Sequence, residues 1–108
     1  MTDRELLELA AKAADIKVKG YFEDEPTLLI KPGIRLPPAR WNPLTDDGDA
    51  LRLAVKIGMT ISPFPAGARV RFQNHILDTC EVEVFAGDPY AATRRAIVMA
   101  AAEIGEKK

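Results

Sequence analysis

At 108 residues, with 47% apolar and 29% charged side chains, the chain has the size and balance of one globular domain and excludes a disordered or fibrous protein. Fifteen Lys and Arg against sixteen Asp and Glu leave a net charge of −1, so no long-range field draws it to DNA, an anionic membrane or an acidic partner. The single cysteine, Cys80, excludes an internal disulfide and a thiolate metal cage, and fits a reducing cytoplasm.

The opening segment predicts a helix from Asp3 to near Ala14. Thr2 and Glu5 have the spacing of a capping box, and Leu6, Leu9, Ala10 and Ala13 recur on one buried stripe. Acids in its first turn, and no basic region ahead of an apolar core, argue against a signal peptide. The longest apolar runs, such as Ala96 to Ala102, fall far short of the ~20 residues a membrane span needs. The expectation is a cytoplasmic protein with no membrane partner.

From Ile16 the pattern turns to alternation through Val18, Tyr21 and Phe22. The acid cluster Glu23 to Pro26 then makes a turn before Thr27-Leu28-Leu29-Ile30, which predicts a hairpin. Residues 31–40, KPGIRLPPAR, hold three prolines and a glycine and are expected to form an irregular loop, although it carries Ile34 and Leu36. A second helix is expected from about Asp46 to Ile57, with Gly58 as its C-terminal cap. Leu51, Ala54 and Val55 form its main apolar stripe, widened by Leu53 and Ile57, so burial is expected around most of its circumference.

Met59-Thr60-Ile61 reads as a short strand, 63–67 as a breaker, and ARVRFQ and TCEVEVF as two alternating strands. Pairing Arg71 with Glu81, Arg69 with Glu83 and Val70 with Val82 puts charges on one face and apolar groups on the other. That fixes the register and predicts a hydrated outer face. The last helix has Asp88 as N-cap, Pro89 at its first position and Gly105 as its stop, and its Ala92, Ala96 and Ala100 line lets another element approach, the alanine-rich end of the first helix being the natural candidate. The predicted fold class is α+β, one domain over residues 1–108, with element order α-β-β-α-β-β-β-α.

Chemistry is sparse. Asp46, Asp47 and Asp49 with Gly48 suggest a calcium loop, but an EF-hand begun at Asp46 would need its bidentate acid where Ile57 stands. The better reading is a helix start capped by Asp46. A pocket enclosing Asp47 or Asp49 would favour an enzyme; capping geometry would favour structure. His75 reads as a turn residue, Cys80 as a buried thiol, and Ser62 has no nucleophile-elbow context. No catalytic residue, metal site or cofactor is expected.

Trp41 is either a partner anchor or a ring packed over the core edge. Together with Ile34 and Leu36 it makes the candidate partner-binding patch of a non-enzymatic interaction protein, whose partner would be another protein or, in a homodimer, a second copy. The alternative is a nucleic-acid or nucleotide binder using Arg40, Arg94 and Arg95, which the balanced charge disfavours; an enzyme is the third reading.

The stretches WNPLTDDGDALRLAVKIGM, GDPYAATRRAIVMAAAEIG and MTDRELLELAAKAA resemble the phage alpha-beta-alpha sandwich domain, a family of small phage and prophage proteins. The resemblance covers nearly the whole chain. It implies helices on both sides of a largely antiparallel sheet and a phage or prophage origin in a bacterial host, so that the expected partner is a host or phage protein, and it carries over no activity, substrate or catalytic residue.

Overall fold

The structure is a computed structural model that describes residues 1–31, 36–73 and 79–108. Its elements are α1 (Asp3–Ala13), β1 (Val18–Tyr21), β2 (Leu28–Ile30), β3 (Ala39–Trp41), α2 (Asp47–Ile57), β4 (Thr60–Phe64), β5 (Gly67–Gln73), β6 (Thr79–Phe85) and α3 (Pro89–Glu106). The class is α+β, and the strands form two three-stranded antiparallel meanders, β1-β2-β3 and β4-β5-β6.

Helix starts follow local chemistry. The Thr2 hydroxyl accepts from the Glu5 amide at 3.2 Å while Glu5 reaches back to the Thr2 N–H at 3.3 Å, completing the capping box. That backbone bond, seconded by the Thr2 side chain, holds the Glu5 carboxyl below its ordinary range. Asp46 accepts from the Asp49 amide at 2.8 Å and Asp88 from the Tyr90 amide at 2.9 Å. Gly58 ends α2 at φ 87°, a left-handed conformation that suits glycine.

Helix α1 ends in the same left-handed way, but on Asp15 at φ 55°. The Asp15 amide donates to Lys12 O at 3.3 Å and the Ile16 amide to Ala11 O at 2.9 Å, the paired bonds of a Schellman motif. Lys108 clasps this end from the other terminus, its Nζ 3.1 Å from Ala13 O and 3.0 Å from Asp15 Oδ1. Asp15→Gly would relieve the left-handed penalty at the loss of one exposed ion pair. We expect a gain of about 0.5 kcal/mol in urea unfolding; a loss would show that the Lys108 clasp matters more than the backbone.

α3 is the centre of the molecule. It packs on β4, β5 and β6 with one side and on α1 and α2 with others, and Ala92, Ala96, Val98, Ala100 and Ala101 are all buried. Small side chains let helix backbones close up, and the expected approach of α1 to this line is present. Gly105 is not the stop expected from sequence: α3 runs to Glu106, with Lys107 as its cap. The glycine marks a crossing, where a Cβ would lie 2.0 Å from Leu9 O of α1.

Three further expectations change. The loop assigned to 31–40 is cut short by a third strand, since Ala39, Arg40 and Trp41 pair with Ile30, Leu29 and Leu28. The breaker at 63–67 is a tight hairpin: β4 runs through Pro63 to Phe64, which pairs with Gly67. Proline is tolerated there because β4 is an edge strand. Finally, α2 buries Ala50, Leu53 and Ala54 and leaves Leu51 and Val55 at 59% and 72% exposure. The inward stripe is displaced by one position from the one expected.

The β5–β6 register is the expected one, with Arg69 opposite Glu83, Val70 opposite Val82 and Arg71 opposite Glu81. The outer face is hydrated and ion-paired, with Arg69 Nη2 2.6 Å from Glu83 and Arg71 Nε 3.3 Å from Glu81. α3 covers the opposite face, where Val70 and Cys80 are buried. No helix among the described residues is long and apolar enough to cross a membrane.

Candidate functional site

The aspartate-rich segment is built around Trp41 and Asn42. Trp41 is 4% exposed and belongs to the hydrophobic core. Asn42 is buried behind it and acts as a hub: its Nδ2 donates to the Thr27 hydroxyl at 3.1 Å, and its Oδ1 accepts from the Leu44 amide at 3.0 Å. Its carbonyl accepts from the amides of Thr45 and Asp46. Asp49 closes the loop, accepting from the Asn42 amide at 3.0 Å and from Arg52 at 2.7 Å. Buried polar atoms must be paired, and these bonds give Asn42, Asp46 and Asp49 a complete structural role. Among the described residues no group of three or more His, Cys, Asp or Glu side chains is placed to hold a metal ion.

Of the expected partner patch of Ile34, Leu36 and Trp41, the structure turns Trp41 into the core. Leu36 is exposed at 56%, but Trp41 turns inward because its strand pairs with β2 and its ring joins the core, so it presents no anchor to a partner. Ile34 lies outside the described residues, as does His75.

The arginines of the phosphate-binding alternative are not brought together, and each is engaged by carboxylate. Arg94 donates from Nε to Leu44 O at 2.9 Å and from Nη1 to Asp47 at 2.7 Å, which ties α3 to the start of α2. Arg95 reaches Asp3 at 3.4 Å, and Arg40 pairs with Glu25 while stacking 4.3 Å from the Phe22 ring centroid. Cys80 is 5% exposed, its Sγ 3.1 Å from Glu103 Oε2, with Ala100 O at 3.7 Å as the alternative acceptor. Burial, then the Glu103 carboxylate, pushes the thiol up to about 12. The folded chain holds it as a neutral thiol at physiological pH.

A groove of about 590 Å³ opens between α2, β4 and the first turns of α3. Leu51, Ile61, Pro63, Phe64, Tyr90 and Ile97 supply its apolar lining. Leu51 and Tyr90 stand exposed at its mouth, at 59% and 70%, and Phe64 is held by an edge-on contact with Phe85 at 5.6 Å. At one end lies the Arg94–Asp47 pair. Asp47 therefore lines a cavity, but bonded to an arginine and without a histidine, cysteine or second carboxylate in that lining. The arrangement suits contact with an apolar group more than proton transfer. Sequence reasoning missed this groove because it took the wide apolar stripe on α2 to mean burial around most of that helix, whereas Leu51 stays exposed.

No family model matches the chain, and comparison with curated proteins and with solved structures gives no match.

Proposed function

We propose that this chain is a non-enzymatic accessory protein of a phage or prophage, acting in the cytoplasm of a bacterial host by holding another protein in the groove between α2, β4 and α3. The observation that carries the interaction reading is the exposed apolar rim of that groove. Leu51 and Tyr90 remain open to solvent beside a concave apolar surface, and contiguous apolar exposure of this kind marks interaction sites. The phage origin rests on the resemblance of the W-N-P-L and D-P-Y-A-A-T-R-R-A segments. Engagement of Arg40, Arg94 and Arg95 by neighbouring carboxylates speaks against the nucleic-acid alternative.

The test is recovery of partners from nuclease-treated host lysate on immobilised wild-type protein, Leu51→Asp and Tyr90→Asp. Both side chains are exposed, so each variant should unfold within about 0.5 kcal/mol of wild type. We expect a protein, a second copy of the chain included, that wild type retains and either variant loses by about tenfold or more. Equal recovery on all three would remove the groove as the docking surface. Recovery that vanishes with nuclease would return the nucleic-acid reading.

A further inference from the structure

A second cavity, about 510 Å³, lies on a different part of the molecule, between the end of α1, the first sheet and the outer side of α2. Its floor is apolar, formed by the buried side chains of Ile30, Trp41 and Leu53. Its walls carry five cationic side chains, Lys17, Lys31, Arg40, Arg52 and Lys56, against two carboxylates, Asp15 and Asp49. That excess is local, since the chain as a whole has a net charge of −1.

Both carboxylates are already engaged, Asp49 with Arg52 and the Asn42 amide, and Asp15 with Lys108. Arg40 is turned to Glu25. Lys17, Lys31 and Lys56 form no ion pair among the described residues. Two of them are cross-strand neighbours: the Lys31 amide donates to Lys17 O at 3.2 Å, extending the pairing of Val18 with Ile30. Like charges set opposite each other across a ladder destabilise it, and an anion between them reverses that sign. Lys56, in the last turn of α2, brings a third positive charge to the same opening.

We propose that this cleft binds a phosphorylated small molecule, its phosphates on Lys17, Lys31 and Lys56 and its organic part against Ile30, Trp41 and Leu53. The volume is that of a small-ligand site, with an apolar floor and a few convergent polar groups. The site is separate from the groove of the proposed function and stands or falls independently of it.

Trp41 is the sole tryptophan, so its emission reports directly on the cleft floor. Wild-type protein would be titrated with inorganic tripolyphosphate by fluorescence, and with tripolyphosphate, ATP and a short single-stranded oligonucleotide by calorimetry, at low and at physiological salt. We expect tripolyphosphate to shift the emission, ATP to bind more tightly than tripolyphosphate, and affinity to fall with salt. Lys17→Gln and Lys56→Gln should each weaken binding about tenfold, the worth of one charge-assisted hydrogen bond. Arg95→Gln, on a distant helix face, should leave it unchanged, and circular dichroism confirms that each variant is folded. Failure of both phosphate probes to bind, or binding that the lysine variants do not weaken, overturns the proposal. An oligonucleotide that binds far more tightly than ATP overturns it in favour of nucleic acid.

Discussion

Trp41→Ala is expected to destabilise the chain by about 3–5 kcal/mol in urea unfolding, against a total of roughly 5–15 kcal/mol for a domain of this kind. The ring is 4% exposed and sits opposite fully buried Leu28 across the β2–β3 ladder. Its removal takes away the transfer free energy of a large aromatic and leaves a cavity where the first sheet meets the core. Leu36→Asp, at an exposed position, should shift stability by no more than about 0.5 kcal/mol. The contrast has a practical side: a partner lost by Trp41→Ala is a sign of unfolding and not of a docking surface. A Trp41→Ala protein within about 1 kcal/mol of wild type would show that the ring does not belong to the core.

Gly105→Ala sets two effects against each other. Alanine gains about 1 kcal/mol in helix propensity over glycine. Its Cβ, however, would stand 2.0 Å from Leu9 O, a backbone atom of α1 that no rotamer change can move. Overpacking costs about 1–3 kcal/mol even where side chains can shift, and here either the helices separate along their alanine seam or the last turn of α3 unwinds. Unwinding would also release the Lys108 clasp on α1. The clash wins, and we expect a net loss of about 2 kcal/mol, which in a thermal melt is a fall in Tm on the order of 10 °C. An unchanged or raised Tm would mean the two helices have room to spare.

Features that depend on neighbouring residues alone were legible in the sequence. Thr2 with Glu5, Asp46, Asp88 and Gly58 cap their helices as expected, since each satisfies amides or a backbone angle within a few positions. The β5–β6 register was legible because only one alignment pairs both arginines with glutamates. Strand β3 was not, because three residues just after prolines become a strand only by pairing with β2. The orientation of α2 escaped for a related reason: Ala50, Leu53 and Ala54 have the same helical spacing as Leu51, Ala54 and Val55, and contact with α3 selects the former. Gly105 reads as a stop in one dimension and as a crossing in three.

Both candidate sites belong to that second class. The groove is assembled from α2, β4 and α3, and the cationic cleft from Lys17, Lys31 and Lys56 on three separate stretches of a chain whose overall charge is almost nil. Single-residue chemistry could describe Cys80 and the capping aspartates, but it could not show which lysines converge.

The seam between α1 and α3 also sets the order of events during synthesis. Leu6, Leu7, Ala10 and Ala11 are buried chiefly by a helix made well after them, with two whole sheets and α2 between. At elongation rates of roughly 5–20 residues per second, the first helix waits on the order of ten seconds for the surface that covers it. Closing so long a loop late makes folding slow for a domain with this much helix. The nascent chain should therefore depend on holding chaperones more than its modest size suggests.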